Sequence, residues 1–493
     1  MAAKVGEAFL GAAVGKLVDC LASEEFINFF RENKQTTDSA VRRWLDELKD
    51  AVYHAEDLVD EIATMALRRK VEAEYPRGKK RFRDSLISTW NWLVGRGTNS
   101  NCEESHGLLL EGQGVSSVEK LEISELICSE EFASELVTLT NLKELTIRQC
   151  ERHLSFPEGM MGLNHLKELS VWLCSVLAVP LSKEMNHCYM SLERLDLFEC
   201  ESLKSLPLGL FPKLRFLNIG ECKNFETLLI PDGIEHQSLT LLERLDIQYC
   251  SDMFFFPRGG FSAPNLSDLW LSGCKKLKAL PEQMHTLLPS LRSLDLWGCP
   301  EIESFPEGGL PSNLIRLEIS NCKKLVGCRR DWGLQTLPSL ANFVLIGESE
   351  DVLESFPEEG LLPSTLTILR IADLPNLKSL NKRGLQHLGS LKTMKIENCP
   401  RLQSLPEEGL QFLGSLKSMD IRNCQQLQSL PKGLPPNLFG LQIVDCPLLK
   451  ASCRREEGTD WHKIAHVPLI NIDGEAIFDQ PYLGRVDPKD FWI

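Results

Sequence analysis

LRSLDLWGC, residues 291–299, places Leu291, Leu294, Leu296 and Cys299 three, two and three residues apart. The same frame returns as LERLDLFEC at 192–200, LERLDIQYC at 242–250, LSDLWLSGC at 266–274 and LKSMDIRNC at 416–424. Frames begin at 118, 142, 166, 192, 214, 242, 266, 291, 314, 340, 366, 391, 416 and 438, fourteen units spaced 22 to 28 residues apart. A frame held at such a period marks stacked units, each too small to bury its apolar face alone.

Within a frame, Leu294 and Leu296 alternate with variable neighbours, the period of two that belongs to a half-buried strand. Each unit therefore contributes one short strand, and the rest brings the chain back so that the next strand pairs beside it in parallel. Turns such as Ser304-Phe305-Pro306 and Ser404-Leu405-Pro406 suit that return, because proline belongs outside a sheet ladder. The expected fold is an α/β repeat, a leucine-rich-repeat solenoid whose curved parallel sheet offers a concave binding surface.

Eleven of the seventeen cysteines occupy the ninth position of a frame: Cys150, Cys174, Cys200, Cys222, Cys250, Cys274, Cys299, Cys322, Cys399, Cys424 and Cys446. An in-register stack aims such side chains alike rather than at each other, so they read as buried free thiols in the turn leaving each strand. So many unpaired thiols argue for a reducing compartment, hence a cytoplasmic location.

Charge separates the chain into two parts. Residues 1–100 hold 16 Lys and Arg and 16 Asp and Glu, so the formal net charge of −15 belongs to the repeats. An acidic repeat region disfavours nucleic acid as its ligand, since phosphate binding needs a basic surface. The opening residues are interrupted by Lys4, Glu7, Lys16 and Asp19 and make a poor signal peptide. No apolar run is long enough to cross a membrane, so no transmembrane segment is expected.

Near the N-terminus, Val5, Phe9, Ala13, Leu17 and Leu21 recur at helical spacing. A second amphipathic helix, capped by Asp38 or Ser39, carries a stripe running from Val41 through Trp44, Leu48, Val52, Val59 and Ile62 to Ala66. The stretch WLDELKDAVYHAEDLVDEIATMALRRKVEAE, 44–74, closely resembles the N-terminal coiled-coil (Rx-like) domain of plant intracellular nucleotide-binding leucine-rich-repeat disease-resistance receptors (NLRs). Its acidic motif reads Glu56-Asp57-Leu58-Val59-Asp60 here. The SFPEGGLP turn at 304–311 and the tail CPLLKASCRREEGTDWHKIAHVPLINIDG at 446–474 are similar to the same receptors.

The resemblance implies that the repeats form a recognition domain and that the acidic helix motif packs on repeat arginines, with Arg148, Arg194 and Arg244 as candidates. Two departures from the pattern stand out. Only a few residues around Lys34 and Gln35 separate the two helices, so the family's four-helix bundle is expected to be incomplete. The central nucleotide-binding (NB-ARC) switch is also missing: no Gly-x-x-x-x-Gly-Lys-Ser/Thr loop occurs, and 76–117 is too short to hold such a domain. Gly11-Ala-Ala-Val-Gly15-Lys16-Leu17 imitates the loop with the wrong spacing and no metal-binding hydroxyl, so no nucleotide cofactor is expected.

The expected organisation is a helical segment at 1–75, a linker at 76–117, repeats at 118–448 and a C-terminal cap and tail at 449–493. The linker opens with Arg77, Lys79, Lys80, Arg81 and Arg83 ahead of SLISTWNWL at 85–93; beyond a solvated linker, this run offers a contact for an acidic membrane surface or for nuclear import. In the tail, Thr459 or Asp460 suits the start of a short helix, and Asp473-Gly474 the turn of a hairpin. Cys446, Cys453, His462 and His466 fit no common zinc spacing, so no metal is expected.

The strand residues flanking the buried pair face the sheet surface, and there the units differ. Trp172, Phe198, Phe216, Trp270 and Trp297 fall in these outward columns, with Asp196, Asp246, Asp268, Asp295 and Glu318 among them. Exposed rings amid carboxylates suggest a surface for a protein partner with basic residues. No nucleophile motif or clustered histidine set occurs, so no enzyme is expected. The reading is therefore a defence-related binding protein that recognises a pathogen effector, or a host protein an effector modifies, as an adaptor or decoy with full-length receptors. The alternative is a structural remnant of such a receptor that does not signal.

Overall fold

The computed structural model describes residues 118–124, 139–149, 154–155, 163–174, 177–178, 191–230, 239–347 and 353–478. The chain forms two compact units, Met1–Leu109 and Leu110–Ile493, and the described residues all belong to the second. The helical segment, the linker and the acidic motif Glu56, Asp57 and Asp60 lie outside them.

All fourteen frames form strands of five residues, from Lys120–Ser124 to Gly440–Val444, paired in parallel and in chain order. Register is strict. Leu294 faces Leu269 and Leu317, and Leu296 faces Leu271 and Ile319, so each frame stacks on its neighbour position by position. The inward residues are fully buried: Leu291, Leu294, Leu296 and Cys299 have no exposed surface. At the start of each rung one carbonyl accepts two N–H groups from the next; Ser267 O takes Arg292 N at 2.8 Å and Ser293 N at 3.0 Å.

The eighth residue of a frame turns the chain inward. Twelve of these positions hold a left-handed backbone: Gln149, Leu173, Glu199, Glu221, Tyr249, Gly273, Gly298, Asn321, Asp373, Asn398, Asn423 and Asp445. The conformation has a reason in hydrogen bonding. Eleven of these N–H groups still reach the strand-end carbonyl of the following rung, as Gly273 N does to Trp297 O at 2.7 Å, and Asp445 N reaches Asp473 Oδ1 at 2.8 Å instead, while the next side chain is thrown into the core.

That next side chain is the cysteine. Ten of the eleven frame cysteines are described, all buried and free. Their thiols satisfy the turn. Cys299 Sγ donates to Trp297 O at 3.5 Å and to Leu271 O, one rung back, at 3.8 Å; Cys322 and Cys446 repeat the pattern. In most rungs the thiol therefore ties the turn to the strand before it, and pairing into disulfides is not needed.

The return arms hold little regular structure, and here the sequence reading needs an addition. The Ser-x-Pro turns build small parallel ladders of their own: Ser205–Pro207 on Thr227–Leu229, and Ser355–Phe356 on Ser379–Leu380. Single bridges carry the second ladder on through Ser404 and Ser429. Proline tolerates this place because these ladders are narrow and ragged. Rings fill the layer between strands and arms, with Phe305, Trp332, Phe343 and Phe356 in succession at centroid distances of 6.0, 5.9 and 6.2 Å.

The tail closes the sheet by joining it. Leu469–Ile472 pairs in parallel with Gly440–Val444, and Glu475–Phe478 folds back antiparallel across Asp473 and Gly474, both with positive φ. Asp460 does precede a short helix, Trp461–Ile464, but its side chain does not cap that helix. It accepts instead from Leu430 N in the last return arm at 2.8 Å and pairs with Lys463 at 2.7 Å. Among the described residues no group of three or more His, Cys, Asp or Glu is placed to hold a metal ion, and no helix is long and apolar enough to cross a membrane.

Candidate functional site

Three outward columns run along the sheet, set by the first, third and fifth residues of each strand. The first reads Arg194, Phe216, Arg244, Asp268, Ser293, Arg316; the middle reads Asp196, Asn218, Asp246, Trp270, Asp295, Glu318. The third reads Trp172, Phe198, Gly220, Gln248, Ser272, Trp297. All five rings of the expected patch are half-buried on this face.

The rings lie on one another and on neighbouring rungs. Trp172 and Phe198 stack at 4.8 Å, and the Phe198 ring reaches over Gly220, where an added Cβ would stand 2.0 Å from it. Gly220 is therefore required by a close approach. Arg194 lies over the Phe216 ring at 4.6 Å and Arg244 over Trp270 at 5.9 Å, both within cation–π range. Trp270 Nε1 and Asn218 Oδ1 are buried without a hydrogen-bond partner in the structure.

The carboxylates correct the expectation. Asp196, Asp246 and Glu318 were expected as surface groups and are buried at the floor of the sheet face. Ser170 Oγ donates to Asp196 at 3.2 Å, Gln248 Nε2 to Asp246 at 2.9 Å, and Ser293 Oγ to Asp295 at 2.9 Å. Arg194, Arg244 and Arg316 pair with Asp196, Asp246, and both Asp295 and Glu318. In these pairs the arginine side chains are 26, 48 and 40% exposed, against 6, 9 and 4% for Asp196, Asp246 and Glu318. In these three pairs the guanidinium meets solvent more than the carboxylate, whereas Asp268 and Asp295 stay half-buried on the face.

Burial leaves its mark on these acids. It raises Asp246 to about 6, against the pull of Gln248 and Arg244, and it raises Asp196 and Glu318 in the same direction. Alternation in the sequence shows which face a residue takes; it does not show that large rings close over the short acids between them.

The three candidate arginines are not brought together. Arg194 and Arg244 flank Phe216 in the first column, whereas Arg148 stands in the third, beside Trp172, with Glu122 at 3.1 Å. The residues that sequence reading passed over are those at the eighth position of each frame. They line the rim of the face where the strands end, and their signal was the recurrence of Gly and Asn at that position.

Residues 31–89 match the Rx N-terminal domain. The chain is 40% identical over 336 residues to a protein of Arabidopsis thaliana named for disease resistance, an alignment covering 68% of this chain and 21% of that protein. It is 26% identical over 247 residues to the Arabidopsis thaliana disease resistance protein RPP4, covering 48% of this chain and 20% of the relative. The chain thus spans about a fifth of the length of these relatives. A solved leucine-rich-repeat protein of Leptospira interrogans aligns with a TM-score of 0.38 at 21% identity, covering 73% of this chain and 96% of that one. The chain is thus a leucine-rich-repeat stack similar over its repeats to plant disease resistance proteins, and its residues 31–89 match the Rx N-terminal domain.

Proposed function

We propose that the repeat unit is a recognition module, without catalysis, that binds a pathogen effector or a host protein an effector modifies. The observation that carries this reading is the concentration of Trp172, Phe198, Phe216, Trp270 and Trp297 on one face of the rungs, half-buried and interleaved with partly exposed guanidinium groups. Aromatic rings and arginine supply most binding energy in protein interfaces because they bury large areas at small entropic cost. Unpaired buried thiols fit a reducing compartment, so we place the activity in the cytoplasm.

In this reading the chain acts as an adaptor or decoy beside full-length receptors, contacting them through its N-terminal segment. Docking of Glu56, Asp57 and Asp60 on the repeats would have to displace contacts that Arg148, Arg194 and Arg244 already make. Charge reversal at the three acids should then expose residues 1–75 to protease; unchanged protection rules that docking out.

Purified effectors and their host targets, titrated against the full chain by biolayer interferometry, test the main reading. A binder should lose at least tenfold in affinity to Trp270→Ala/Trp297→Ala, whose thermal midpoint stays near that of the native chain. A binder indifferent to the pair would remove this face from the account.

A further inference from the structure

The left-handed position after each strand suits Gly, Asn and Asp, which reach it at little cost, whereas other side chains are strained there by roughly 1 kcal/mol. From Gly273 onward the chain obeys this preference. Before it, Gln149, Leu173, Glu199, Glu221 and Tyr249 occupy the position in unbroken succession, on the rungs that carry the Trp172–Phe198 stack.

The two halves of the rim also differ in how they are satisfied. In the second half the side chains bond one another: Asn423 donates to Asn398 at 3.0 Å, and Asn398 to Asp373 at 2.7 Å. Elsewhere, acids facing a neighbouring rung are commonly met by a cation, as Glu193 is by Lys167 and Asp252 by Lys276. Glu199, Glu201 and Glu221 make no side-chain hydrogen bond or ion pair among the described residues. They stand around a cavity of about 180 Å³, together with Leu173 and a single cation, Lys223. Leu173 and Tyr249, at 44 and 42% exposure, are among the large apolar side chains the molecule leaves open to solvent. Partial burial and the charge of Glu221 raise the Glu199 carboxyl, a mark of acids crowded together without enough counter-charge.

We propose that this rim, Leu173, Glu199, Glu221 and Tyr249 beside the Trp172–Phe198 stack, docks a protein segment in which lysine or arginine alternates with apolar side chains. The proposal rests on the reading of these rungs as the partner surface and adds the chemistry of what they bind. Charge complementarity selects the occupant: a long cation fills the cavity among three glutamates, and apolar neighbours cover Leu173 and Tyr249. The arginines of the first column do not oppose it, since they stand at the opposite end of the strands, roughly 16 Å away at 3.3 Å per residue.

A random dodecapeptide library displayed on phage, panned against the full chain, tests this. Enriched peptides should be basic and apolar, should bind Trp270→Ala/Trp297→Ala as they bind the native chain, and should weaken at least tenfold on Glu199→Lys/Glu221→Lys. Leu173→Asn separates recognition from folding, because it should raise the thermal midpoint while lowering peptide affinity severalfold. Peptides lost on the tryptophan variant but kept on the rim variants would overturn the rim proposal and leave the sheet face as the site. Peptides indifferent to both sets of variants would overturn both, and acidic or neutral peptides, or no enrichment at all, would overturn the rim proposal.

Discussion

Asp246 shows how one residue of the sheet face is tuned by its surroundings. Its carboxyl is raised to about 6 in the folded chain, chiefly by burial, above the 3.8 of an ordinary aspartate. The folded state therefore binds this proton more readily than the unfolded state, and the contribution of Asp246 to stability is fullest below about pH 4 and declines as pH rises through 6. That loss is on the order of 2–3 kcal/mol. In calorimetry, Asp246→Asn should flatten this part of the pH–stability profile; an unchanged slope would place the titration elsewhere. Asp473 has the opposite sign: Lys450 holds its carboxyl low, so its contribution is present above the ordinary value and fades as pH falls. Tyr249 makes a second case at this scale. Its left-handed backbone should make Tyr249→Asn stabilising by about 1 kcal/mol, read from urea midpoints. The frame cysteines were legible from position alone, whereas the burial of Asp196 and Asp246 was not. Strand alternation assigns a face, but only packed rings decide what that face leaves open.

The rung is the unit of stability. Leu294 has no exposed surface and stacks in register between Leu269 and Leu317. Leu294→Ala should cost about 3 kcal/mol in chemical denaturation and loosen the neighbouring rungs, because a repeat stack is stabilised through its interfaces. The terminal element obeys a different logic. Asp460, buried with Lys463, ties the cap to Leu430 N, so Asp460→Ala should destabilise by about 2–3 kcal/mol and speed hydrogen exchange at the Leu430 amide. Unchanged exchange there would mean that the cap is held by its strand pairing alone. The hairpin around Asp473-Gly474 was readable because its turn demands those residue types. The tie of Asp460 was not, since it joins an arm and a cap thirty residues apart by one side chain.

At the scale of the molecule, a single sheet carries a graded surface: rings and guanidinium groups along the strands, an acidic and apolar rim where the first strands end, and a self-bonded amide rim farther on. Fourteen frames in the sequence became fourteen strands, because the buried spacing leaves no other in-register stack. The chemistry of the surface needed coordinates, because neighbours on a sheet lie about two dozen residues apart in the chain. The thiols give a check of the stack as a whole. Burial pushes Cys250 up and holds Cys453 at about 12, while Cys328 is exposed. Among the described cysteines, alkylation of the native chain should therefore mark Cys328 and spare the rest until the fold is lost, as read by peptide mapping.

The central claim is that partners meet the sheet face and not the return arms. A photo-crosslinking residue placed at Trp297 on that face, or at Phe255 on a return arm where the native ring is 52% exposed, tests it in infected plant tissue expressing the full chain. The account expects a discrete protein adduct from position 297 and none from 255. An adduct from 255 with none from 297 would contradict it.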